Sequence, residues 1–202
     1  MRSLVSRIRQ FSRREDGLVM TEFLILLPLL IWAFLALFVY WESFRAINMA
    51  QKANYAVSDL ISRQSDIDMN FVNGMQKSME YLTGGAPVRM RITSFQWDAT
   101  KKEYYVLFSK SPNNAVPPLT KTELAAMATE RIPVMADRDS AVLVETEVGF
   151  TPTFFVLSNP AKELGLFGLG TGSSYTFDNF VITRPRYARR VCLIEQPCPA
   201  TL

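Results

Sequence analysis

One stretch of the chain constrains its fold more than any other. Residues 18–41 form a run of 24 residues that contains a single charged side chain, Glu22. About 20 apolar residues in a helix cross a bilayer core about 30 Å thick, so this run is long enough to span a membrane. An ionisable group inside such a span is costly and is by default functional. The pattern therefore predicts a membrane helix that carries one functional carboxylate.

The residues before this run suggest a removable leader. Residues 1–17 hold five Arg and two acidic side chains and end in Gly17. Cleavage of the bond after Gly17 would remove the basic segment and create a new amine on Leu18. Leu18 and Glu22 are one helical turn apart, so this ammonium could meet the carboxylate of its own chain or of a neighbouring chain. Either ion pair would neutralise the carboxylate inside the apolar run.

These features resemble those of a known family. The basic leader, Gly17 followed at the fifth position by Glu22 and Phe23, and the apolar helix resemble a class III prepilin peptidase site of type IV pilins. More narrowly, they are similar to TadE/TadG-like minor pseudopilins of tight-adherence (Tad, or Flp) pili, and residues 175–187 resemble the segment that closes such proteins. Leu18 stands where many type IV pilins carry a methylated Phe.

The resemblance implies a fold, a processing step and partners. It implies a type IV pilin-like fold and processing by a prepilin peptidase at Gly17 and Leu18. It also implies assembly, through Glu22 and Phe23, with other pilins or pseudopilins and the pilus assembly platform. The resulting pilus would serve surface attachment. Membrane lipid is the remaining partner that the span itself predicts.

Plainer interpretations of the same run remain open. A Glu in the first helical turn can lie at the headgroup level and favour the helix dipole, which would leave an ordinary anchor. A secretory signal peptide fits less well, because its apolar region has only about 7 to 15 residues and a small-residue cleavage site follows it.

Charge predicts the orientation and excludes one class of partner. The leader is strongly basic, whereas the residues directly after the run are nearly neutral, so the positive-inside rule places the N-terminus in the cytoplasm. We expect a single-pass protein of a bacterial inner membrane, with its C-terminal domain outside and possible incorporation into a pilus. Without the leader, the chain has equal numbers of basic and acidic residues, so its formal charge of +3 does not indicate nucleic-acid binding.

The cysteine and histidine content limits which covalent, catalytic and metal-binding sites the chain can form. Cys192 and Cys198 are six residues apart and can close a small disulfide loop in an oxidising compartment, although spacing leaves two free thiols as the alternative. The chain has no His, so it lacks a Ser-His or Cys-His pair and the ligands of a closed zinc site. We expect no enzymatic activity, no metal and no cofactor.

The remaining pattern predicts an α+β fold in three parts. These are a leader over residues 1–17, a transmembrane and stem helix over 18–63 with Pro28 inside it, and an extracytoplasmic α+β domain over 64–202. In that domain, the segment from Ser65 to Asp68 can cap a helix that is ended by Gly84 and Gly85. We further expect strands over 88–97, 104–109, 141–151 and 175–184 and a short helix over 120–131. They would form an antiparallel sheet of about four strands, with the helices on one face.

An apolar segment, called the apolar excursion below, lies between the last two predicted strands. Residues 152–172 combine several glycines with large apolar side chains, among them Phe154, Phe155, Leu166 and Phe167. Such a segment is either a contact surface for a partner or the membrane, or a cover that folds back over the sheet.

Two function classes follow. The first is a minor pseudopilin that is processed and takes part in assembly of a tight-adherence pilus. The second is an unprocessed single-pass membrane protein whose outer domain binds a ligand or partner for envelope sensing or assembly. The mature N-terminus separates them, because only the first begins at Leu18.

Overall fold

The computed structural model describes residues 18–128, 131–153 and 174–198. The chain divides into two compact units. One comprises Met1–Glu42 with Pro152–Gly172, and the other, called the head unit below, comprises Ser43–Thr151 with Ser173–Leu202. Gly17 and residues 154–173, including the aromatic residues of the excursion, lie outside the described residues.

Helix α1 covers Leu18–Ser62 and confirms the predicted long helix to within one residue at its C-terminal end. The helix continues through Pro28, whose missing N–H removes one backbone hydrogen bond. Within the head unit, one face of α1 carries small or β-branched side chains every three or four residues. These side chains are at most 3% exposed and form the buried stripe of α1: Ala50, Ala53, Val57 and Ile61.

Helix α2 covers Met69–Leu82 and confirms the predicted helix before Gly84, with Asp68, the last residue of the predicted capping segment, as its N-cap. The Asp68 carboxylate accepts a hydrogen bond of 2.7 Å from the backbone N–H of Phe71, which satisfies one unpaired donor of the first turn. At the other end, Gly84 and Gly85 adopt φ values of 76° and 84°, a conformation that glycine adopts at little cost. The Gly85 N–H then donates to the Glu80 carbonyl at 2.8 Å and closes the helix.

Four antiparallel strands form the main sheet, as predicted. They are β2 (Val88–Asp98), β3 (Glu103–Lys110), β4 (Ser140–Phe150) and β5 (Tyr175–Thr183), in the spatial order β3-β2-β4-β5. The fold class is therefore α+β. Gly149 of β4 lies so close to Pro87 that a Cβ would stand 2.7 Å from the proline Cγ. A larger residue at this position would force the chain before β2 to shift.

Two smaller elements differ from expectation. Residues Asp66–Ile67 form strand β1, which pairs in parallel with strand β6, Cys192–Leu193. Two-residue strands carry no periodicity, so sequence could not reveal this pair. Helix α3 covers Lys121–Ala128, a shorter span than the predicted 120–131, and residues 129 and 130 lie outside the described part.

The sheet has apolar clusters on both faces, which corrects one prediction. Val88, Met90 and Ile92 of β2 pack with the buried stripe of α1 and with α2. Phe95 of the same strand belongs to a second cluster, together with Leu124 of α3. Successive strand residues point to opposite faces, so positions 88, 90 and 92 face away from position 95. The expectation that the helices share one face was therefore wrong for α3.

Candidate functional site

The apolar half of α1 exposes its side chains over its whole length. From residue 20 to residue 41 no side chain is buried, although almost all are apolar. Exposed apolar surface of this extent is rare on proteins surrounded only by water. By length and composition, α1 could cross a membrane, and it is the one such helix in the described part of the chain.

Glu22 lies in the second turn of this helix. Its side chain is exposed, and its carboxylate makes no ion pair or hydrogen bond with the residues that the structure describes. Phe23 beside it is 52% exposed. Leu18, the first residue that the structure describes, lies one turn before Glu22 in this helix, while Gly17 falls outside the description. The fold thus places an acid without a described partner near the start of the apolar helix.

A second acid, Glu42, directly follows the apolar run, and its carboxylate is hydrogen-bonded. The Glu42 carboxylate accepts a hydrogen bond of 2.7 Å from the Thr153 hydroxyl and one of 3.2 Å from the Thr153 backbone N–H. Thr153 is the second residue of the apolar excursion and the last one before residue 174 that the structure describes. The four residues proposed there as a contact surface, Phe154, Phe155, Leu166 and Phe167, lie outside the described residues.

Cys192 and Cys198 are joined by a disulfide bond and enclose a small loop. The backbone at Cys192 is hydrogen-bonded to the segment just before α2: the Cys192 N–H donates to the Ser65 carbonyl at 3.0 Å, and the Ile194 N–H donates to the Ile67 carbonyl at 2.9 Å. Within the loop, the Glu195 carboxylate accepts from the Met69 N–H at 3.2 Å. An acid at a helix N-terminus is favourable for the helix dipole. The loop therefore fastens the C-terminal segment to α2.

One half of the second sheet face carries a charged ladder. Arg89 and Arg91 of β2 lie directly opposite Glu147 and Glu145 of β4, and each arginine forms an ion pair with its opposite acid. The Arg91 Nε lies 2.6 Å from the Glu145 carboxylate, and the Arg91 guanidinium also donates to the Pro117 carbonyl at 2.8 Å. Opposite charges across neighbouring strands stabilise the pairing. The ladder thus joins two strands and a loop.

A cavity of about 320 Å³ lies over this ladder. Arg131 stands over the Phe180 ring, 5.1 Å from its centroid, and both residues line the cavity. Asp178 adds a further acid. The cavity therefore contains three arginines and three acids, and four of these six charges are already paired with each other. This balance favours a structural role over the binding of a charged ligand.

The tip of the β2–β3 hairpin forms a different kind of site. Asp98 accepts hydrogen bonds from the N–H groups of Thr100 and Lys101 at 2.9 and 3.0 Å, which shapes the turn. The strand register then places Trp97 opposite Tyr104. Their ring centroids are 4.5 Å apart with the planes tilted by 48°. Together they form an aromatic floor.

Helix α3 supplies the opposite wall of a groove over this floor. Ala125 and Ala128 present small side chains, while Lys121 forms an ion pair of 2.6 Å with Glu103 of the hairpin. The open space is about 560 Å³. We call it the hairpin groove, and its defining residues are Trp97, Lys102, Glu103, Tyr104, Lys121 and Ala125.

The groove has a basic rim. Lys102 and Lys121 line it, and Lys101 lies beside Lys102 in the turn. Lys101 donates a hydrogen bond of 3.0 Å to the Tyr105 hydroxyl, which raises the pKa of Lys101 above its usual 10.5. Lys102 is exposed and makes no ion pair within the described residues. In the floor, burial raises the pKa of Tyr104 above 10.0, so this phenol stays neutral at physiological pH. Sequence analysis missed the groove, although aromatic residues on both sides of a predicted turn were a usable signal.

No group of three or more His, Cys, Asp or Glu side chains that could hold a metal ion occurs in residues 18–128, 131–153 and 174–198. Comparison with known proteins gave no match, since no family model, no curated protein and no solved structure matches the chain.

Proposed function

We propose that the protein is a minor pseudopilin of a tight-adherence pilus, anchored in a bacterial inner membrane through the apolar half of α1. One observation carries the proposal: a helix that, from Leu18 onward, bears Glu22 within its apolar half and continues as a core helix of an α+β head unit. This arrangement supports the proposal, because a type IV pilin-like subunit is expected to have a membrane helix whose second half packs against an antiparallel sheet. The basic leader favours a cytoplasmic N-terminus.

The first step of the proposal is cleavage by a prepilin peptidase. Hydrolysis of the bond between Gly17 and Leu18 leaves a carboxyl group on Gly17 and a new amine on Leu18. Glycine suits this place because a residue without a Cβ lets the backbone pass close to an active site. The test is the mass of the mature protein, which is expected to begin at Leu18.

A matched pair of variants sharpens this test. Gly17→Leu is expected to leave a membrane-bound protein that is longer by the 17 leader residues. Gly74→Leu is the control, because Gly74 lies in α2 and a Cβ there would meet nothing within 4 Å. A mature N-terminus at Leu18 in the Gly17 variant would refute the role of Gly17 as the residue that the peptidase recognises. An uncleaved wild-type chain would instead favour a single-pass membrane protein with an outer binding domain.

The second step assigns Glu22 to assembly. The exposed carboxylate has no partner among the described residues, and an unpaired charge in lipid is costly. The Leu18 ammonium of a neighbouring subunit is the partner that cleavage would provide. Surroundings of low dielectric constant strengthen such an ion pair.

Glu22→Leu separates assembly from processing. Because the carboxylate lies beyond the cleaved bond, the variant is expected to be cleaved and to insert normally, but to be absent from sheared pili. Glu42→Gln is the matched control at the other end of the run, where the side chain binds Thr153. If Glu22→Leu enters sheared pili at the wild-type level, the pairing mechanism is wrong.

A further inference from the structure

We infer that the hairpin groove binds an acidic saccharide, with a pyranose ring on the Trp97 and Tyr104 floor and its carboxylate against Lys102. This inference does not depend on the proposed pilus function, since the groove lies within the head unit. It begins from a contrast with the charged ladder on the same sheet face. The ladder's arginines already have acidic partners, whereas Lys102 makes no ion pair within the described residues.

The floor of the groove suits a sugar ring. Trp97 and Tyr104 are both partly exposed, and the small side chains of Ala125 and Ala128 line the groove with them. The face of an aromatic ring is electronegative. The axial C–H bonds of a pyranose form an apolar, slightly positive face, so the two surfaces attract each other. The planes of the two rings are tilted by 48°, so the rings do not form one continuous flat surface.

The rim of the groove suits hydroxyl groups and one acidic group. Glu103 provides an acceptor, and Lys121 and Thr122 provide donors. Sugar hydroxyls both donate and accept, so they can use this mixed set. Lys102 is left for a carboxylate on the ring, as a charge-assisted hydrogen bond.

The size of the groove fits a short saccharide. Its volume of about 560 Å³ lies within the usual range of ligand sites, roughly 300 to 1,000 Å³, which are mostly apolar with a few polar groups. Because the groove is open, we expect weak binding by each site.

Calorimetric titration of the full-length protein in detergent micelles tests the inference. The probes are tetragalacturonate, neutral maltotetraose and tetraglutamate. We expect tetragalacturonate to bind at least about tenfold more tightly than either of the other two, and its affinity to fall with added salt as the lysine interaction is screened.

Two variants locate the site. Ala125→Leu fills the groove from the exposed face of α3 without removing any contact, and Lys102→Gln removes only the charge. Each is expected to weaken tetragalacturonate binding about tenfold. The matched controls are Ala56→Leu on the exposed face of α1 and Lys77→Gln on α2, and neither should change the affinity.

Several outcomes would overturn the inference. Equal binding of maltotetraose would remove the acidic group from the ligand class, and equal binding of tetraglutamate would favour an acidic peptide. Undetectable binding at millimolar tetragalacturonate would refute a saccharide site. Unchanged affinity in correctly folded Ala125→Leu would place any binding elsewhere.

Discussion

The two halves of α1 use apolar side chains in opposite ways. Between residues 20 and 41 nearly every position is apolar and none is buried. Between residues 50 and 62 only one face is buried, and the opposite face exposes Gln51, Lys52 and Tyr55. A helix that is apolar all round belongs in a protein core or in a membrane, whereas a one-sided stripe marks a helix packed at a water-exposed surface. One helix thus combines an all-apolar half, typical of a segment surrounded by lipid or protein, with an amphipathic half, typical of a helix that has one face in water.

This difference shows that exposure alone does not reveal what a side chain contributes. Leu30 and Tyr55 are 57% and 64% exposed, yet the first lies in the apolar run and the second on the polar face of the stem. The contribution of each side chain depends on whether lipid or water surrounds it. Substitutions that treat both halves alike therefore test the comparison directly.

The largest effect is expected from Val57→Asp. Val57 belongs to the buried stripe and is 1% exposed, so the variant would bury a carboxylate without a partner at a cost of about 3 to 5 kcal/mol. That loss approaches the whole stability of many domains. Hydrogen exchange of the β2 and β4 amides in the full-length protein should accelerate strongly.

Ala56→Asp is the matched control for this variant. Ala56 is the neighbouring residue but lies on the exposed face, so its stability should change by no more than about 0.5 kcal/mol. Equal acceleration of exchange in both variants would show that the stripe does not define the packed face of the stem.

A smaller effect is expected at the centre of the apolar run, and it rests on the proposed membrane span. A lysine at the centre of a membrane helix raises the free energy of insertion by about 2.5 to 3.5 kcal/mol. Leu30→Lys should show this shift in a translocon insertion assay on a shortened span, because the full run would insert too completely for the shift to be seen. Tyr55→Lys, at similar exposure, should leave both insertion and stability unchanged. No shift for Leu30→Lys would refute the difference in solvent.

The sequence predicted those elements whose signals lie within a few neighbouring residues, and it did not predict features that depend on distant parts of the chain. The caps at Asp68 and Gly84 and the alternation in β2 act within a few residues, and the predicted elements appeared there. The pairing of β1 with β6 joins residues more than a hundred positions apart, and two-residue strands leave no pattern. The face chosen by α3 depends on the path of the loop before it, since only Leu124 of this helix is buried. Propensity cannot decide that choice.

The candidate sites divide in the same way. Glu22 was found because an acid within an apolar run is visible in the sequence itself. The hairpin groove required the register that sets Trp97 opposite Tyr104 and the position of α3 above them, and both are properties of tertiary structure. The processing site at Gly17 and the contact surface around Phe154 and Phe167 remain predictions.

The smallest effect concerns α3, which lacks the buried stripe that holds the head half of α1. This helix relies on a capping box instead: the Glu123 carboxylate accepts from the Thr120 N–H at 2.8 Å and from the Thr120 hydroxyl at 2.9 Å. These hydrogen bonds, the backbone one first, lower the pKa of Glu123 below its usual 4.5. A lowered pKa in the folded state means that the stabilisation is complete above pH 4.5 and is lost as the pH falls through the folded-state value.

An NMR titration that follows the Thr120 amide should therefore show a midpoint below 4.5. Glu123→Gln keeps an acceptor oxygen without a titrating group, so its Thr120 amide should not shift over this range. A wild-type midpoint at or above 4.5 would mean that the capping box does not hold α3 in solution.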